Sequence, residues 1–366
     1  MNPSRRHDID ALRALAFGLL ILYHVGMYFV ADWRWHLKSP HAADWLQWPM
    51  VAVNVWRMDL VFLISGVAFG FLARGRTTAA LIGRRAWRLL LPLAFGMAVV
   101  VPYQAYAQGV ANGLVAPGFG AFMLRYWVGG PWPKGAFDGS DFPMTWNHLW
   151  YLAYLFAYTV LLALLRPLQD SKAGRSLREG FAGLRGWRLL VLPALPLAAC
   201  TVLLAPRFPA THAFVGDWYL HGLYFTAFMY GHWIGLDAGI WQELARLRRP
   251  ALLLAVACLG AYLATRAGVL RALYLWTVIA AILGHAHRYL NRPWRWLAWA
   301  NDSVYPWYIL HQTLIIVAVV ALAPLHLGPV LEAVLLVAMT VLGCWVLTSG
   351  LIRRVRWLRP LFGLTR

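Results

Sequence analysis

Negative charge is what this sequence has least of. Its 366 residues include 14 Asp and Glu against 33 Lys and Arg, and charged residues of both signs make up only 13% of the chain. Soluble globular chains carry about 25%. So thin a polar complement excludes an ordinary soluble enzyme. Cysteine is also scarce. Cys200, Cys258 and Cys344 all lie in apolar runs, with neither the spacing of a disulfide framework nor that of a metal site, and they read as small core hydrophobes. The 31 glycines and 20 prolines are close to the ordinary share, and no repeat or low-complexity tract is present. Collagen-like, solenoid and disordered architectures fall with that observation. The chain also lacks HExxH, P-loop and dinucleotide motifs, which disfavours metal-dependent and nucleotide hydrolysis. No metal site is expected.

What is abundant is apolar surface, at 61% hydrophobic residues. A window of about twenty residues, the length that crosses a ~30 Å hydrocarbon core, finds about ten candidate spans. They run over Ala11–Val30, Met50–Ala73, Leu89–Ala107, Leu149–Leu165, Leu189–Ala205, Trp218–Leu236, Ala251–Ala264, Leu270–Ala286, Val304–Ala323 and Val330–Ile352. The expected fold is therefore an all-α polytopic membrane protein, with residues 1–366 forming one transmembrane domain. The first span follows Arg5 and Arg6 as a signal peptide would, but it contains Arg13 and His24 and leads into Trp33 and Trp35 without a small-residue cleavage site, so it reads as a retained helix. The seventh and eighth spans are short, which leaves an eight-helix or re-entrant alternative open.

Basic residues alternate between the ends of these spans. One set of ends, from Arg5 and Arg6 to Arg366, holds 24 of the 33, and the opposite set holds seven, while Arg13 and Arg57 fall inside spans. Cytoplasmic loops accumulate Lys and Arg. Both termini are thus expected in the cytoplasm, and much of the net charge of +19 reflects topology, with no nucleic-acid partner implied. The outer side then carries the longest connection, residues 108–148, a periplasmic loop of a length that usually serves a site. Near it stand Trp33, Trp35, Trp45, Trp48 and Trp56. Two readings fit these indoles, an aromatic belt at the membrane interface and a stacking platform for sugar rings.

Ionisable groups inside spans need a reason, since a charge at mid-bilayer costs on the order of 3 kcal/mol. Arg13 and His24 are eleven residues apart, about 16 Å along a helix and on nearly the same face. In the antiparallel second span, Arg57 and Asp59 reach about the depth of His24. A carboxylate there would orient the imidazole and favour its protonated form, the support a His general base needs; the other reading is a buried Arg–Asp pair beside a hydrogen-bonded His. Arg84, Arg85 and Arg88 open the third span, and Arg85 and Arg88 share a face. Positive-inside placement accounts for them, and so does a polyanionic ligand such as the phosphates of a nucleotide-type donor. His148 and Trp150 open the fourth span. His311 sits in the ninth among Tyr305, Tyr308 and Gln312, a polar stripe suited to a cavity. His212, His221 and His232 read as acceptor-side or as satisfied core residues.

These residues resemble a known family. "DALRALAFGLLILYH" with Arg13 and His24, then "RMDLVFLISG", "RRAWR", "HLWYL" and "VYPWYILHQT" are similar to the membrane acyltransferase-3 family over almost the whole core. "WRWHLKS" and "HLWYL" look closest to the branch represented by the glucans biosynthesis protein C succinyltransferase. The resemblance implies a roughly ten-helix enzyme of the bacterial inner membrane. It would take an acyl group from cytoplasmic acyl-CoA, a co-substrate rather than a bound cofactor, and place it on a hydroxyl of a periplasmic glucan or other polysaccharide.

The resemblance makes Arg13, His24, Asp59, Arg85 and Arg88 the functional positions. Arg84 joins the donor arginines, and Arg57, His148, Trp150, His311 and Trp35 are candidates for the acceptor or the acyl group. The chain departs from many members at Leu155, where they carry Glu. That departure weighs against a surface-polysaccharide O-acetyltransferase. A succinyl group brings a carboxylate that needs a cation in the membrane, and Arg57 is the one placed at the depth of His24, so succinyl is favoured over acetyl. The alternatives are an O-acetyltransferase of another envelope glycan and, from a different class, a polytopic transporter.

Overall fold

The computed structural model describes residues 6–364. It is 75% helical, and the described residues contain no strand. α1 (His7–Phe29) is followed by α2 (Gln47–Asn54) and α3 (Arg57–Ala73), which share the second expected span, and by α4 (Thr78–Phe95) and α5 (Pro102–Ala111), which share the third. The long connection holds α6 (Phe119–Trp127). Next come α7 (Trp150–Leu164), α8 (Arg166–Gln169), α9 (Lys172–Ala182), α10 (Trp187–Val191) and α11 (Ala194–Ala199). The chain continues through α12 (Trp218–Leu236), α13 (Ala238–Thr265), α14 (Gly268–Tyr289), α15 (Leu297–Leu322), α16 (Pro329–Val346) and α17 (Leu358–Leu361). Arg5 and Arg366, counted among the basic ends, lie outside the described residues.

Nine helical stretches among the described residues are long and apolar enough to cross a membrane. The protein is therefore an all-α polytopic membrane protein. The helix missing from the nine is α12, which has the expected bounds and 19 residues. Its Trp218, Tyr219, His221, Tyr224, Tyr230, His232 and Trp233 dilute its hydropathy below that of the others. The short seventh and eighth spans become full helices of 28 and 22 residues, α13 and α14. The window missed the first half of α13 because Gln242, Glu243, Arg246, Arg248 and Arg249 make it polar. Arg266 turns the chain between them in the left-handed conformation, at φ 58°.

The chain divides into two compact units. One comprises the residues up to Ala16, Val51–Arg85 and Tyr154–Asn301; the other comprises Phe17–Met50, Ala86–Ala153 and the segment from Asp302 onward. In the first unit α3 packs on α12 through facing small-xxx-small pairs, Gly66 with Gly70 and Gly231 with Gly235. A Cβ on Gly66 would overlap the carbonyl oxygen of Phe228, and one on Gly231 would overlap that of Leu63. Helices in a membrane gain little from apolar burial alone, so this backbone-to-backbone approach supplies the packing. Asp8 is fully buried near the start of α1, where Arg6 donates to it at 2.7 and 2.9 Å and His287 lies 2.8 Å away.

In the second unit the third span carries a π-turn for a traceable reason. Pro102 has no N–H to return to Ala98, and the ladder widens into a π-turn over Gly96–Val100. The carbonyl of Ala98 is then satisfied by the indole N–H of Trp127 at 2.9 Å, and that of Val100 by the hydroxyl of Thr313 at 3.0 Å. The residues around α6 form an ordered cap with a small core of Ala105, Phe122, Tyr126, Ala136 and Phe137. Burial of the Tyr126 phenol in that core pushes its pKa up to about 12. Cys258 and Cys344 are buried, Cys200 is half-buried, and all three are free thiols.

Candidate active site

His24 lies on α1 and His311 on α15, both in the second unit, with His24 Nδ1 2.9 Å from His311 Nε2. The geometry assigns the protons. Nδ1 of His311 faces two backbone carbonyls, Tyr308 O at 2.8 Å and Trp307 O at 3.1 Å, so it must carry hydrogen. In the neutral ring Nε2 of His311 is then a lone-pair acceptor, and Nδ1 of His24 must be the donor. The lone pair of His24 therefore sits on Nε2, the tautomer a general base requires. The partner at Nδ1 of His24 is thus an imidazole that is itself held by main chain.

A buried polar network surrounds the pair. His148, 6% exposed, donates from Nε2 to the carbonyls of Tyr308 and Ile309 at 3.0 and 3.1 Å and accepts at Nδ1 from Gln104 at 3.3 Å. Its ring stands edge-on to His311, with centres 5.0 Å apart. Gln104 accepts from Asn147 and from Gln312, each at 3.0 Å, and donates to Thr313 at 2.7 Å. Gln312 also donates to His36 Nε2 at 2.8 Å, and His36 Nδ1 donates to Gln108 at 2.7 Å. Burial holds the pKa of His36 below its ordinary value, against the opposing pull of Asp138 at 3.5 Å. Such a network leaves each ring one orientation.

His36 also opens onto a cavity of about 990 Å3 in this unit, lined among others by Tyr28, Trp35, Lys38, Tyr103 and Glu332. Glu332 is 5% exposed and accepts from Tyr28 at 3.0 Å and from Ser39 at 3.2 Å. Lys38 donates to the carbonyls of Met27, at 2.8 Å, and Val30, at the end of α1. That cation sits where the helix dipole is negative. Tyr28 is one turn beyond His24, so one face of α1 carries both His24 and the cavity wall.

The sequence matches the family model described as an acyltransferase domain over residues 6–349. The chain belongs to the acyltransferase-3 family. Neither the curated proteins nor the solved structures contain a match.

In this acyltransferase the other residues singled out by sequence distribute as follows. Arg13 pairs with Asp10 at 3.7 Å near the start of α1. The second span breaks between α2 and α3, which sets Asp59 in the first turn of α3, a favourable place for a carboxylate. Asp59 is 3% exposed, its Oδ1 makes no hydrogen bond among the described residues, and Arg271 and Arg57 are the cations acting on it. Arg57 donates to Asn54 at 3.1 Å. On α4 the three arginines separate: Arg84 is exposed, Arg85 is 8% exposed, and Arg88 lies over the ring of Tyr305 at 5.4 Å. Among the acceptor candidates Trp35 lines the cavity, whereas His148 and His311 commit their ring nitrogens to protein groups, and Trp150 opens α7 half-buried.

Sequence reasoning missed Gln104, Gln108, Asn147, Thr313 and Glu332. A polar residue in an apolar run was the available signal for Gln104, Thr313 and Glu332. No three His, Cys, Asp or Glu among the described residues are placed to hold a metal ion.

Proposed function

We propose that this membrane acyltransferase moves an acyl group, succinyl in preference to acetyl, from acyl-CoA to a hydroxyl of a periplasmic glucan or related polysaccharide. In this reading it sits in the bacterial inner membrane with both termini in the cytoplasm. The donor approaches from the side rich in arginine, and the cavity beside Trp35 faces the periplasm. The observation that carries the proposal is the His24–His311 pair, in which main-chain carbonyls fix His311 and His311 in turn holds Nδ1 of His24, in the unit that holds the cavity.

The acceptor oxygen attacks the thioester carbonyl carbon while Nε2 of His24 takes the hydroxyl proton. The positive charge that grows on His24 is carried through its Nδ1–H to His311 and on to the carbonyls of Trp307 and Tyr308. When the C–S bond breaks, His24 returns the proton to the sulfur, and free CoA and the ester leave. An acyl-His24 intermediate uses the same nitrogen in two displacements. The indole of Trp35 and the phenols of Tyr103 and Tyr106 offer apolar faces to a sugar ring, and the resemblance to the glucan succinyltransferase branch favours that acceptor.

The test is to incubate purified protein with succinyl-CoA or acetyl-CoA, with and without glucan. Release of CoA that depends on glucan supports the proposal. Uptake of a solute without CoA release supports a transporter instead.

A further inference from the structure

A second pocket, of about 170 Å3, lies in the first unit and is lined by Arg74, Arg166, Arg178, His232 and Asp170, with Gly70 in its wall. Three guanidiniums therefore share one small space with a single carboxylate, that of Asp170, which is exposed. Arg166 is fixed by protein: it donates to Ala73 O, the last residue of α3, at 3.1 Å and to Arg76 O in the turn beyond it at 2.8 Å. Arg74 rests over the ring of Phe71 at 5.2 Å. Arg178, half-buried on α9, makes no hydrogen bond or ion pair among the described residues, and Nδ1 of His232 is buried without a hydrogen-bond partner.

Placing arginines on the cytoplasmic side requires only that they lie on that side. It does not require three of them to converge on a cavity beside an unpartnered ring nitrogen. Like charges brought together repel unless an anion separates them. A tetrahedral oxyanion with several acceptor oxygens matches the planar fork of each guanidinium and can also take a hydrogen from His232. Neither Arg84, Arg85 nor Arg88 lines this pocket.

We infer that this pocket binds a phosphate ester, either a phosphate of the acyl donor or the head group of an anionic phospholipid. The donor source rests on the function proposed above; the site itself does not. The test uses the full-length protein in nanodiscs of phosphatidylcholine, titrated with adenosine 3′,5′-bisphosphate, which carries phosphate but no thioester. Arg178→Gln is the informative variant, because Arg178 holds no protein group whose loss would unfold the chain, and Arg178→Lys keeps the charge.

If the donor's phosphate is the occupant, the bisphosphate binds the wild type, about tenfold more weakly to Arg178→Gln, and at intermediate strength to Arg178→Lys. If a lipid head group is the occupant, the protein retains phosphatidylglycerol from mixed nanodiscs through native mass spectrometry, and Arg178→Gln loses it. An unchanged bisphosphate affinity together with unchanged lipid retention in Arg178→Gln overturns the inference. Binding is read without turnover, so a failure of acyl transfer leaves this test standing.

Discussion

His311→Phe isolates the role of the imidazole that holds His24. Phenylalanine keeps a ring of similar size in a site that is 1% exposed, but it removes the acceptor that lies 2.9 Å from Nδ1 of His24. The Nδ1–H of His24 then loses its buried partner, a loss of about 1–3 kcal/mol for a neutral group and more once the ring is protonated. At about 1.4 kcal/mol per decade, the transition state loses roughly tenfold to a thousandfold. The loss should appear in kcat, because His311 touches neither substrate in this reading and KM for the acceptor should hold within about twofold. His311→Gln restores a carbonyl acceptor and should recover part of the rate, which a merely space-filling role would not predict. The assay is continuous detection of the free thiol of CoA in detergent-purified protein, with thermal unfolding as a folding control. A folded His311→Phe enzyme with wild-type kcat would refute the assignment.

Gly231→Ala drives a methyl group into the carbonyl of Leu63, so α3 and α12 must separate; a loss of about 1–3 kcal/mol should lower the unfolding temperature in detergent, and an unchanged temperature would contradict the packing. Burial and the field of Arg57 hold the pKa of His212 down, to about 4, against the opposing field of Asp217. Its ordinary value is ~6.5, so the folded state resists protonation and stability should fall as pH drops from about 6.5 toward 4. Unfolding of His212→Gln across that window should show a shallower slope than wild type. In Arg57→Gln the succinyl-CoA to acetyl-CoA preference should fall severalfold, and an intact preference would remove Arg57 from the acyl site.

The parts legible in the sequence were those set by local composition. The bounds of α12 match the expected span residue for residue, and the polar stripe of α15 marked Gln312 as well as His311. The π-turn of the third span was harder to read, because the carbonyl it leaves open at Ala98 is met by Trp127, 29 positions later in the chain. Hydropathy placed His24 in depth but left its azimuth and partners undefined, and nothing local joins His24 to a histidine 287 positions away. The two imidazoles stand in series, and main-chain carbonyls fix the second ring. Likewise, the short seventh span reflected an amphipathic start to α13 rather than a short helix.

The measurement that bears most directly on the account is glucan-dependent acyl transfer by wild type and His24→Ala, with CoA release and ester formation counted in the same samples. The account predicts one CoA released per ester formed in the wild type and neither product above background in a folded His24→Ala protein. Wild-type turnover by His24→Ala, or ester formation without release of CoA, would contradict it.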